Sequence, residues 1–157
     1  MDAELMAALG KAGGAAALGL AAVGSSLGCG AAGMAAIGAW KKCYAQSKAA
    51  PFILITFIGA PLSQTIYGMI LMNAMVAACN AGQVANWAAM LGAGVFGGFG
   101  IGASAWYQGK AGAAGADAMA ETGQGFGNYL MTLGVIETVA LFVMVFVQAV
   151  FKSAAAG

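Results

Sequence analysis

Four long apolar stretches, separated by three short polar breaks, constrain this chain more than any other feature. They run from about Leu9 to Trp40, from Pro51 to Cys79, from Trp87 into a polar turn holding Asp117, Glu121 and Thr122, and from Phe126 to Phe151. A helix needs about 20 mostly apolar residues to cross a bilayer. Inside lipid every backbone polar group must be satisfied within the segment, so the spans are helices. The expectation is an all-α membrane protein with four transmembrane helices, one membrane domain over residues 1–157, arranged as hairpin 1 (9–79) and hairpin 2 (87–151). Composition agrees: 62% of residues are apolar and 7% charged, against roughly 45–50% and 25% in soluble domains. That excludes an ordinary water-soluble enzyme.

Other classes fall on absent groups. The chain has no His, and Cys29, Cys43 and Cys79 are scattered, so neither a zinc site nor a disulfide framework is indicated. There is no Arg and no Lys cluster, hence no footprint for nucleic acid. No phosphate-binding loop with Lys and Ser/Thr is present, so the chain is expected to be non-catalytic. The acidic start, Met1-Asp2-Ala3-Glu4, and the long apolar run that follows are unlike a signal peptide. Lys41, Lys42 and Lys48 in the first break place it on the cytoplasmic side, with the third. Both termini and the second break are then expected outside.

Two kinds of span alternate. The first carries nine glycines from Gly10 to Gly38, and the third carries Gly94, Gly98 and Gly102 on one face. Small residues at that spacing let helix backbones approach closely in lipid. The second and fourth spans are bulky, with Phe52, Phe57 and Leu71 in one and Leu141, Phe142 and Phe146 in the other. The alternation reads as a duplicated hairpin. A shift of 79 sets Ser25 on Ser104, Cys29 on Gln108, Gly30 on Gly109 and Gly33 on Gly112; a shift of 73 sets Gln64-Thr65 on Glu137-Thr138.

That last pairing puts a neutral residue and an ionisable one at equivalent depth. A carboxylate in the middle of a span costs about 2.5–3.5 kcal/mol on insertion scales and marks an ion or proton path by default. Glu137 is such a group. The second span holds Ser63, Gln64 and Tyr67 on one side, next to Pro61, which cannot donate to the carbonyl of Phe57. The third adds Gln108. One carboxylate, two amide oxygens, a hydroxyl and loosened backbone oxygens form a hard-cation set, and a single negative charge suits a monovalent ion.

The runs Pro61-Leu62-Ser63-Gln64-Thr65-Ile66-Tyr67-Gly68, Gln108-Gly109-Lys110 and Ile136-Glu137-Thr138 resemble the proteolipid c subunit (K subunit) of bacterial V-type ATPases of the sodium-pumping type. The resemblance covers all four spans. It implies that Glu137, Gln64, Gln108, Ser63 and the carbonyl of Ala60 bind Na+, and that Tyr67 hydrogen-bonds the glutamate. The hydroxyl ligand is usually threonine in that family; Ser63 keeps the oxygen and loses the methyl. The resemblance further implies a homo-oligomeric rotor ring with the glycine-rich spans inside. It implies a stator subunit bearing a basic residue, central-stalk subunits as partners, and a multi-pass place in a bacterial cell membrane.

The reading is therefore an ion-carrying rotor subunit of a V-type ATPase or ATP synthase, with Na+ as the coupling ion. The same rotor carrying H+ is the alternative; a protonated glutamate needs one acceptor, which would leave Ser63, Gln64 and Gln108 surplus. An unrelated four-helix scaffold or channel gives no reason for Gln64 and Glu137 to stand at equivalent positions.

Overall fold

The computed structural model describes residues 1–152, and it is helical from Ala3 to Lys152 apart from the connections. Helix α1 spans Ala3–Ala45; α2, Ile55–Gly59; α3, Ser63–Asn80; α4, Trp87–Thr122; α5, Phe126–Lys152. Turns of 3-10 helix at Phe52–Leu54, Ala60–Leu62 and Val84–Asn86 lead into α2, α3 and α4. Among the described residues, four helical stretches are long and apolar enough to cross a membrane: Ala3–Ala45, Phe52–Asn80, Val84–Thr122 and Phe126–Lys152. The all-helical, four-span expectation holds.

Span ends differ from the sequence reading at the polar breaks. Helix α1 begins at Ala3 because the Asp2 side chain caps it, accepting from the Leu5 N–H at 2.8 Å. It runs on through Lys41 and Lys42 to Ala45, since nothing there breaks a helix. At 43 residues it is roughly 65 Å long, about twice the hydrocarbon thickness, so charged turns at its end project beyond the membrane. Likewise α4 continues through Asp117 and Glu121, and stops only where Gly123 takes the left-handed conformation (φ 67°) and donates to the Met119 carbonyl.

The second span is not one regular helix. Pro61 has no N–H, and the backbone tightens into 3-10 geometry over Ala60–Leu62 between α2 and α3. The carbonyl of Phe57 loses its helical partner there. Gly112 of α4 lies against it, so close that a Cβ at Gly112 would stand 3.0 Å from that oxygen.

Helices α1 and α4 are parallel and touch through their backbones. Gly13 meets Met90 and Gly94, Gly24 meets Gly102, and Gly28 meets Ala105 and Gly109. A Cβ on Gly98 would lie 2.9 Å from the Ala17 Cα and carbonyl oxygen. The face of Gly94, Gly98 and Gly102 is buried as expected. Not every glycine serves this seam: among the described residues, nothing lies within 4 Å of a Cβ position at Gly19, Gly30 and Gly38 of α1, and Gly33 makes only ordinary contact. On the other side of α1, Gly68 brings α3 against Ala17 and Ala21.

The ends of the bundle confirm the up-and-down course. At one end Lys42 pairs with Asp117 at 3.2 Å and Glu121 at 3.0 Å, joining the last turns of α1 and α4. At the other, Asn86 donates to the Phe151 carbonyl at 3.2 Å, joining the second connection to the end of α5. Helix α5 is the least enclosed span; Leu133, Ala140 and Phe151 are its buried residues.

Candidate functional site

Polar side chains from three spans meet midway along the bundle. Glu137 lies on α5 between Leu133 and Ala140, on the narrow stripe that faces the other helices, and is half-buried. Tyr67 of α3 donates its hydroxyl to Glu137 Oε1 at 2.6 Å. Gln108 of α4 donates its amide to Glu137 Oε2 at 3.3 Å and to the Leu133 carbonyl at 3.0 Å. Because a carbonyl can only accept, Leu133 fixes which end of the Gln108 amide points to α5. The Gln108 oxygen then faces α3, where the Gln64 amide N–H donates to it at 2.7 Å. Gln64 and Gln108 are both fully buried.

Ser63 completes the chain of contacts. Its hydroxyl lies 3.1 Å from the Ala60 carbonyl and 3.1 Å from Gln64 Oε1. A serine has one proton to donate, so it serves only one of these oxygens at a time. The Ala60–Ser63–Gln64 corner therefore holds more lone pairs than protons. The distortion at Pro61 belongs to the same corner, directly after Ala60.

All six residues singled out from the sequence, Ala60, Ser63, Gln64, Tyr67, Gln108 and Glu137, stand in one connected network. The geometry adds one distinction. Gln108 meets the carboxylate through its N–H, and its oxygen is occupied by Gln64, so as a cation ligand it would have to exchange the Gln64 hydrogen bond for the ion. Thr138, paired with Thr65 in the repeat, takes no part; its hydroxyl donates to the Val135 carbonyl within α5.

Two participants were missed. Ser104 donates to the Ile136 carbonyl at 2.8 Å, and the Leu133 carbonyl orients Gln108. Their spacing was visible: Ser104 stands four residues before Gln108, and Leu133 four before Glu137, so each lies one turn away on the same face. What the sequence did not mark was their target.

Chemically, the arrangement presents an acid whose two oxygens both face donors, beside neutral oxygens with unfilled lone pairs, inside an otherwise apolar bundle. Neutral oxygens and a carboxylate are the kind of ligands that hard cations take. No curated protein matches the chain. The four apolar helices, together with the family match over α4 and α5, indicate an integral membrane protein. Residues 91–147, the part of the chain that carries Ser104, Gln108 and Glu137, match the family model of the ATP synthase C subunit.

Proposed function

We propose that this chain is the ion-carrying rotor subunit of a V-type ATPase or ATP synthase, holding one Na+ per four-helix chain at Glu137. The observation that carries the reading is the polar network around a carboxylate at mid-span, whose Gln108 and Glu137 lie in the stretch 91–147 that matches the ATP synthase C subunit model. Copies of the chain form a closed ring, with the tightly packed α1 and α4 toward its centre and the site nearer its outer surface. The first and third connections face the cytoplasm and the central stalk.

The residues divide the work. Glu137 neutralises the ion. The carbonyl of Ala60, the hydroxyl of Ser63 and the oxygens of Gln64 and Gln108 replace its water, each of which would otherwise cost energy unpaired at this depth. Tyr67 holds the carboxylate toward the bundle. As the ring turns, a basic residue of a stator subunit approaches the half-buried Glu137. Its field competes with the ion for the carboxylate and releases the ion. ATP chemistry belongs to other subunits.

Proton coupling has one observation in its favour: at 2.6 Å the Tyr67 hydroxyl can turn and accept from a protonated Glu137. Carbodiimide labelling separates the two ions, because the reagent attacks only the protonated acid. Sodium near neutral pH should protect Glu137, and raising the pH should protect it too by removing the proton. Gln64→Ala should weaken sodium protection strongly and leave the pH effect in place. Protection by pH alone, even at high sodium, would make this a proton site with structural glutamines.

A further inference from the structure

The internal repeat sets two serines at equivalent places, and they differ in one respect. Ser25 is 2% exposed and its hydroxyl has no hydrogen-bond partner among the described residues. Ser104, also buried, donates to the Ile136 carbonyl at 2.8 Å. Ile136 immediately precedes Glu137. Its carbonyl already belongs to the ladder of α5, and its second lone pair accepts the serine.

Helix α5 has particular need of such a bond. It buries few residues, and in lipid an apolar face gains little by turning from solvent-like tails to a neighbouring helix. Apolar packing therefore specifies its rotation weakly. A helix turns about 100° per residue, so a modest rotation carries Glu137 out of the network toward lipid. Two hydrogen bonds from α4 oppose this, Gln108 to Leu133 and Ser104 to Ile136. Gln108 also contacts the carboxylate and must rearrange when the occupant changes. The hydrogen bond of Ser104 goes to backbone rather than to the carboxylate, so it can stay in place throughout.

We infer that Ser104 is a positioning residue: its bond to the Ile136 carbonyl sets the rotation of α5 and so keeps Glu137 in reach of Tyr67, Gln108 and the ion. The inference rests on the reading of Glu137 above. It is tested in the intact complex in its membrane with Ser104→Ala, Ser104→Cys and Ser25→Ala. The readouts are the sodium concentration that half-protects Glu137 from carbodiimide, the labelling rate without sodium, and the mass and thermal stability of the assembly.

Loss of one hydrogen bond, worth about 0.5–1.5 kcal/mol, should raise the half-protecting concentration about two- to twelvefold in Ser104→Ala. Sodium-free labelling should be faster as well. Ser104→Cys, with a weak donor of similar size, should fall between, and it stands in for the alanine variant should that one fail to assemble. Ser25→Ala should move neither reading. A fall in stability without a shift in half-protection would make Ser104 merely structural, and an equal shift from Ser25→Ala would mean general loosening; either overturns the inference. If sodium fails to protect the unaltered chain, it is the choice of ion that fails, and the sodium-free labelling rate across pH still judges Ser104.

Discussion

The two hairpins share a plan and differ in nearly every group they contribute to the candidate site. Gln64 in the first stands where Glu137 stands in the second, Cys29 where Gln108 stands, and Pro61 where Gly134 stands. The first hairpin breaks its outer span at Pro61 and gathers neutral oxygens there. The second keeps α5 unbroken and carries the charge, with the amide that holds it. Gln64 is fully buried, whereas Glu137 is partly exposed at the edge of the bundle. The first half lines the enclosed side of the candidate site, and the second supplies the carboxylate at its edge. A charge at mid-depth is expensive, and four helices sharing one carboxylate hold half the charge that two identical hairpins would.

The largest effect that can break this comparison comes from moving the charge. Glu137→Gln should abolish ion transport while leaving assembly intact, because the amide keeps the volume and can still hydrogen-bond Tyr67. Adding Gln64→Glu to that variant should not restore transport. A carboxylate at 64 would be enclosed and would face the Gln108 oxygen, whereas the Tyr67 hydroxyl is directed at position 137. Transport measured in reconstituted vesicles decides it. Activity in the double variant would mean that the halves are interchangeable, and activity in the single variant would remove the role given to Glu137.

Next in size is the seam that holds the hairpins together. Gly98→Leu should prevent recovery of a folded, assembled protein, since even its Cβ would press on the Ala17 backbone and the Ala16 oxygen. Gly19→Ala, on the same pair of helices, should leave the yield of folded chain unchanged because nothing lies within 4 Å. Recovery after detergent extraction and thermal stability are the measurements. Equal tolerance at both positions would show that the hairpins meet elsewhere.

That contrast also marks how far the sequence could be read. Spacing alone found the face of Gly94, Gly98 and Gly102, because a four-residue period on a helix leaves one geometry. It could not sort Gly24 from Gly19, since which glycines meet a neighbour depends on the rotation of α1 against α4. The site was legible for a related reason. Polar side chains are so rare in these spans that Ser63, Gln64, Tyr67, Gln108 and Glu137 had few partners but one another. Ser104 and the Leu133 carbonyl stayed hidden because small hydroxyls and backbone oxygens occur everywhere along a helix, and only the register between α4 and α5 gives two of them a function. Span ends were misjudged where Lys41, Lys42, Asp117 and Glu121 suggested loops. Charge marks where a chain leaves the membrane, not where its helix ends.

Those same charges give the smallest expected effect. Lys42 lies at the end of α1 between Asp117 and Glu121 of α4, and its separation of 79 from Glu121 follows the repeat shift. The side chains of all three are more than half exposed, and exposed pairs are screened by water and salt and contribute little to stability. Lys42→Ala should therefore lower the thermal midpoint of the assembly by no more than a few degrees at low ionic strength, on the order of what weak surface pairs give, and by less as salt is added. Sodium protection of Glu137 should not change. A large loss, or one that salt does not relieve, would show that the two hairpins are held together at this charged end as much as along the glycine seam. The close approach of Gly24 to Gly102 and of Gly28 to Gly109 would then be a consequence of that clasp rather than its equal.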